Sequence, residues 1–224
     1  MADAPDGQGA RVLRDSTREE ENMPPSPTIA CQGPHPALLD WLVKRDIEAE
    51  VYEHTETLTA RETARAEGID LRTLAKVVGV ATDDGRNVLL VLDATGQVDL
   101  HKARRALSAR DVRLLDEAEL ARLTPGCDTG AIPAVGALFD LPMYADYVVR
   151  EEYDISFNAG SHRFTVRVER AACERATGVQ YADLVDDAVQ ATLVTAWREL
   201  LTRRDPDEVH ERKIVAFEAH RPPR

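Results

Sequence analysis

Nowhere in these 224 residues do eighteen apolar residues run together, so no segment reads as a membrane span. The opening "MADAPDGQGARVLRDSTREEENMPPSPT" has no apolar stretch of the kind a secretory signal needs. Cysteine is scarce: Cys31, Cys127 and Cys173 are far apart and form no CxxC or Cys/His ligand spacing. That argues against structural zinc and against a disulfide framework. Aromatic residues make up only 5% of the chain, so a core must be built from Val, Leu, Ala and Ile. Lysine is rarer still, 4 residues against 24 arginines. No phosphate-binding glycine loop, GxGxxG fingerprint or Ser/His/Asp triad is present, and no cofactor or metal is implied. The expectation is a soluble cytoplasmic protein.

What the chain does have is acid. A net charge of −12 and a pI near 5.0 disfavour general attraction to nucleic acid or membrane surfaces. A polyanionic partner would need a local basic patch working against a repulsive far field. DNA and membranes are therefore not expected partners, and the sequence leaves the oligomeric state open, a monomer included.

Residues 1–33 are polar and proline-bearing, too poor in apolar side chains to offset chain entropy, and are expected to be disordered. From His35, Leu38, Leu39, Leu42 and Val43 fall at helical spacing. "EAEVYEHTE" reads as a strand, and "TARETARAEGI" as a helix with Thr59 as N-cap and Gly68 as its stop. "LAKVVGVAT", "DDGR" and "NVLLVLDAT" signal a hairpin. "LHKARRAL" is expected as a helix with Lys102, Arg104 and Arg105 facing water. A short strand is expected at Val112–Leu114, and a helix from about Glu117. "MYADYVV" and "ISFNAGSHRFTVRVE" read as strands, "ERAACERATG" and the run from Tyr181 as helices. The last stretch reads as a loosely held extension. Interleaved helices and hairpins point to an α+β fold: a mixed, largely antiparallel sheet or small barrel with flanking helices. The division expected is a tail over 1–33, a domain over 34–183 and a helical extension over 184–224.

Three segments could carry chemistry. Lys76 lies within a strand expected to be buried, where a chain that otherwise prefers arginine has chosen the compact ammonium. Two readings stay open: a point charge that holds a phosphate or carbonyl oxygen, or a solvent-facing blocker on an edge strand. The run Gly130-Ala131-Ile132-Pro133-Ala134-Val135-Gly136 could bring backbone N–H groups to an oxyanion, or could be a plain turn. Asn158-Ala159-Gly160, just before Ser161-His162, suggests a bulge or a close backbone approach. Ser161 and His162 are neighbours on a strand, so they face opposite ways and make a poor nucleophile and base. Cys127 is a nucleophile by type alone, with no base identifiable. His54, Thr59, Pro133, Gly136, Asn158, Gly160 and His162 are the candidates for substrate contact.

Taken in order, "YEHTETLTARETARAEGI", "LAKVVGV", "VLLVLDATGQVDLHKARRAL", "TGAIPAVGALFDLPMYAD" and "ISFNAGSHRFTVRV" resemble the YbaK/prolyl-tRNA synthetase-associated domain family. These are trans-acting aminoacyl-tRNA deacylases and editing domains, and the resemblance covers residues 36–182. The family lysine maps onto Lys76 and its Gly/Pro loop onto Gly130–Gly136. The family loop is typically Gly-x-x-x-Pro; here Gly130 and Pro133 stand one residue closer, and Ala134-Val135 precede Gly136. The resemblance implies hydrolysis of the ester joining a small amino acid (Ala, Cys or Ser) to the 3′ end of a mischarged tRNA. Lys76 would grip the terminal phosphate. The amides of Gly130, Ala131 and Ile132 would hold the oxyanion, and Ile132 and Pro133 would limit the pocket. The alternative is a non-catalytic module that binds an aminoacyl-like ligand or a protein.

Overall fold

The computed structural model describes residues 33–187, residue 189 and the backbone of 213–217. The expected disorder of residues 1–33 falls, but for Gly33, outside the described residues, as does most of the expected C-terminal helix.

In chain order the elements are α1 (Pro36–Lys44), β1 (Ala49–Glu53), α2 (Ala60–Glu67), β2 (Leu74–Thr82) and β3 (Asn87–Asp93). Then come α3 (Leu100–Ala106), β4 (Val112–Leu114), α4 (Glu117–Leu123) and β5 (Met143–Asp146). β6 (Asp154–Ser161), β7 (Phe164–Glu169), α5 (Arg170–Thr177), β8 (Gln180–Ala182) and β9 (Lys213–Phe217) complete the set. Eight strands run in the order β8-β5-β3-β2-β6-β7-β1-β9, and β4 pairs with β2 off that path. The path has two free ends, so the sheet is open and mixed; the barrel form of the expectation is set aside.

Local chemistry explains the elements. Thr59 and Glu62 close a capping box at the start of α2, and Gly68 ends it with φ 62°. Asp99 caps α3, and Asp116 with Glu119 caps α4. The β2–β3 hairpin turns through "DDGR", with Gly85 at φ 85°.

Five expectations change. "MYADYVV" is strand only over Met143–Asp146, then a 3-10 turn over Tyr147–Glu151, where Asp146 accepts from the Val148 N–H at 2.9 Å. "ISFNAGSHRFTVRVE" folds back on itself as β6 and β7. Tyr181 begins no helix but lies in β8, paired in parallel with β5. Lys102 does not simply face water: it ion-pairs with Asp183 at 2.8 Å and Asp187 at 2.9 Å. The final stretch contains β9, antiparallel to β1.

The sheet divides the interior. One face, under α1 and α5, packs Trp41, Leu42, Ala75, Val91, Phe157 and Val166. On the other face, α3 covers Val80, Leu90 and Leu92, while α2 covers Leu71 and Leu74. Side chains alternate along a strand, so Leu74, Lys76 and Val78 share the second face. Lys76 therefore lies between the patch under α2 and the patch under α3.

Candidate functional site

One edge of β2 has two partners. Leu74 and Ala75 pair in parallel with Ser156 and Phe157 of β6. Further along, Val80–Thr82 pair with β4. Between these pairings β2 leaves β6, and the 128–131 segment takes its place. Asp128 N–H donates to Gly160 O at 2.9 Å, and Gly160 N–H donates to Ala131 O at 3.0 Å. Lys76 is the first residue of β2 past this fork.

The Lys76 ammonium donates to Ala94 O at a long 3.5 Å. Burial pulls it below the usual lysine range, and the carboxylate of Asp93 opposes that shift. Asp93, fully buried at the end of β3, accepts from Thr95 Oγ1 and Gly96 N–H, both at 2.7 Å, and so folds the turn that presents Ala94 O. The solvent-facing reading of Lys76 does not describe this half-buried setting.

Ser156 and Asn158 stand two residues apart on β6, on the face that Leu74 and Lys76 share by register. Ser156 is fully buried, and neither its Oγ nor Asn158 Oδ1 has a hydrogen-bond partner among the described residues. Thr165, across β7 from Asn158, donates to Glu67 Oε1 at 2.5 Å. The His54 side chain is buried. Its Nδ1–H donates to Thr55 O at 2.7 Å, while Nε2 stands 3.8 Å from Glu67 Oε1. Burial pushes this imidazole below the usual histidine range. Thr59 is engaged as a cap, its hydroxyl accepting from Glu62 N–H at 3.2 Å.

The loop is anchored from both sides. His162 Nε2–H donates to Thr129 O at 2.8 Å, and its N–H donates to Asp128 Oδ2 at 3.2 Å. Ala131 N–H is donated to Asp128 O at 2.9 Å. Gly130 and Ile132 N–H have no acceptor among the described residues. Residues 131–136 are buried, and Ala134 and Val135 belong to the core under α1 and α5. Much of the loop's apolar character is thus core packing. Gly136 is required by contact, since a Cβ there would lie 2.4 Å from Leu141 O. Gly160 has φ 88°, and a Cβ would meet His35 Cβ at 2.7 Å.

Two hollows lie elsewhere, and Lys76 lines neither. One of about 20 Å³ sits among Val91, Ala134 and Cys173; one of about 390 Å³ opens between Gly136–Tyr144 and Thr177–Gln180. Among the described residues no group of three His, Cys, Asp or Glu is placed to hold a metal, and no helix is long and apolar enough to cross a membrane. Sequence reasoning missed Asp93, Glu67 and Ser156. Only Asp93 left a signal, as an acid closing an apolar strand.

The fold is shared with solved structures. A candidate trans-editing enzyme for prolyl-tRNA synthetase is 27% identical, with a TM-score of 0.59 over 66% of this chain and 94% of that one. A scaffold protein from epitope-grafting design is 29% identical, with a TM-score of 0.55 over 61% and 85%. A hypothetical protein at 19% identity shares the fold, with a TM-score of 0.62 over 66% and 99%. No curated protein matches the chain. Residues 54–176 match the aminoacyl-tRNA editing domain, and the chain belongs to that family.

Proposed function

We propose that the protein is an aminoacyl-tRNA deacylase that hydrolyses the ester of a mischarged tRNA carrying a small amino acid of the Ala, Cys or Ser class. The observation that carries this reading is the half-buried ammonium of Lys76, at the fork of β2 and β6, with a single long hydrogen bond among the described residues. An ammonium has three donors, so this one is equipped to take oxygens from a ligand. Lys76 would hold the phosphate of the terminal nucleotide and fix the ester. The scissile carbonyl would then face the loop, where the N–H groups of Gly130 and Ile132 serve the developing oxyanion. Ala131 contributes shape, its amide being spent on Asp128.

Water, or a hydroxyl or thiol of the substrate, adds to the carbonyl carbon. The tetrahedral oxyanion collapses, the bond to the 3′-oxygen breaks, and that oxygen takes up a proton. With water as the attacking group, the products are the amino acid and a free tRNA end. No protein nucleophile enters, which accords with the absence of a triad. Ile132 and Pro133 bound the pocket, though sieving by size discriminates weakly, by about 1–3 kcal/mol per methylene.

The test is a panel of labelled aminoacyl-tRNAs with the wild type and Lys76→Ala. The expected result is deacylation of a small-residue member, reduced by roughly 10²-fold or more in the variant with the fold intact. No turnover on any member would return the protein to a non-catalytic binding role.

A further inference from the structure

The N-cap position of α1 is held by His35, a residue type that helix starts do not favour. Its side chain makes no capping bond, so the helix itself gives no reason for an imidazole there. The 125–139 segment does. His35 Nε2–H donates to Pro125 O at 3.2 Å, while Nδ1 is buried with no partner among the described residues. The ring also fills a notch that two glycines leave. A Cβ on Gly126 would lie 2.9 Å from His35 Nε2, and one on Gly160 would lie 2.7 Å from His35 Cβ. At the far end of the segment, the Phe139 ring meets the imidazole edge-on, with centroids 6.1 Å apart. The main chain adds to this: His35 N–H donates to Ala159 O at 2.6 Å, next to the Gly160 that bonds to Asp128 and Ala131. Entry and exit of the loop therefore meet at one side chain. That side chain is rooted on α1, whose Leu38 and Leu42 are fully buried.

We propose that His35 is a positioning residue: it buckles the neck of the 125–139 loop and so holds the N–H groups of Gly130 and Ile132 in place, without touching substrate. The effect on turnover rests on the deacylase reading; the effect on the loop does not. An unbuckled loop keeps its bonds to Gly160 and His162 but loses the constraint at its entry. Donors fixed before the reaction need no reorganisation during it. A displacement of about 1 Å at the reacting centre can cost roughly 10²-fold in rate.

The test compares His35→Met with His35→Gln on the full chain. The two side chains match in length, but only glutamine keeps an N–H for Pro125 O. Hydrogen exchange read by mass spectrometry should speed up across 126–139 in His35→Met and return toward wild type in His35→Gln. With an aminoacyl-tRNA that the wild type hydrolyses, kcat should fall about tenfold in His35→Met, with KM held within about twofold. His35→Gln should recover most of that loss. Unchanged exchange across 126–139 in His35→Met overturns the proposal, as does a kcat that stays at the wild-type value or that His35→Gln fails to recover. Faster exchange spread evenly over α1, β6 and β7 in both variants marks general loosening and overturns it too. If the wild type turns over no aminoacyl-tRNA, the deacylase reading goes, and the exchange pattern alone upholds or overturns the buckle.

Discussion

Lys76 was legible from sequence because it broke a habit: a compact ammonium in an apolar strand of an arginine-rich chain. Ser156 was not legible, since its burial depends on parallel pairing with Leu74, some eighty positions away. Glu67, in the last turn of a short helix, is buried against Thr165 and His54. That cluster has a pH signature. The folded pKa of His54 lies below its unfolded value, so the unfolded chain binds more protons in acid. Stability is expected to fall as pH drops through about 6.5 toward the lower folded value. Melting temperatures across that window should fall less steeply for His54→Gln than for the wild type. Cys173 makes a second prediction. Burial pushes its thiol up to about 12, so alkylation at neutral pH should spare it until the protein is unfolded. Mass mapping of labelled cysteines reads the outcome.

Helix ends and hairpins were the elements best read in advance, because their signals are local. The Thr59 cap, the Gly68 stop and the Asp-Gly hairpin depend on neighbours within a few residues. Tyr181 in β8 depends on a distant partner that local propensity could not supply, and the β6–β7 turn over residues 162–163 lacks an Asp-Gly signal of the β2–β3 kind. Thr59→Ala removes a capping bond and should cost about 1 kcal/mol in denaturant unfolding. Gly136→Ala forces a methyl group against the Leu141 carbonyl, where neither backbone can yield cheaply. It should destabilise by about 1–3 kcal/mol, a larger loss than the cap produces.

Across the whole molecule, the α+β class and the family were visible in the order of five segments, while the openness of the sheet was not. The negative charge has a functional consequence at this scale. A protein that neutralises six to ten phosphates loses about 10³–10⁵ in affinity between roughly 50 and 200 mM salt. With a net charge of −12, long-range repulsion offsets local contacts. The KM for an aminoacyl-tRNA should therefore change by less than about tenfold over that range. Steady-state kinetics at several salt concentrations decide it, and a steep loss would point to an extended basic face.

The fork has a mechanical corollary. β6 pairs with β2 at Ser156 and Phe157 and with residues 128–131 at Gly160, so its two partners part beside Lys76. Without those four residues the N–H and C=O of Gly160 would be bare, and β2 could extend along β6 by continuing the register begun at Ala75 and Phe157. The loop acts as a shim, and trimming it would seal the crevice while both cores stayed standing.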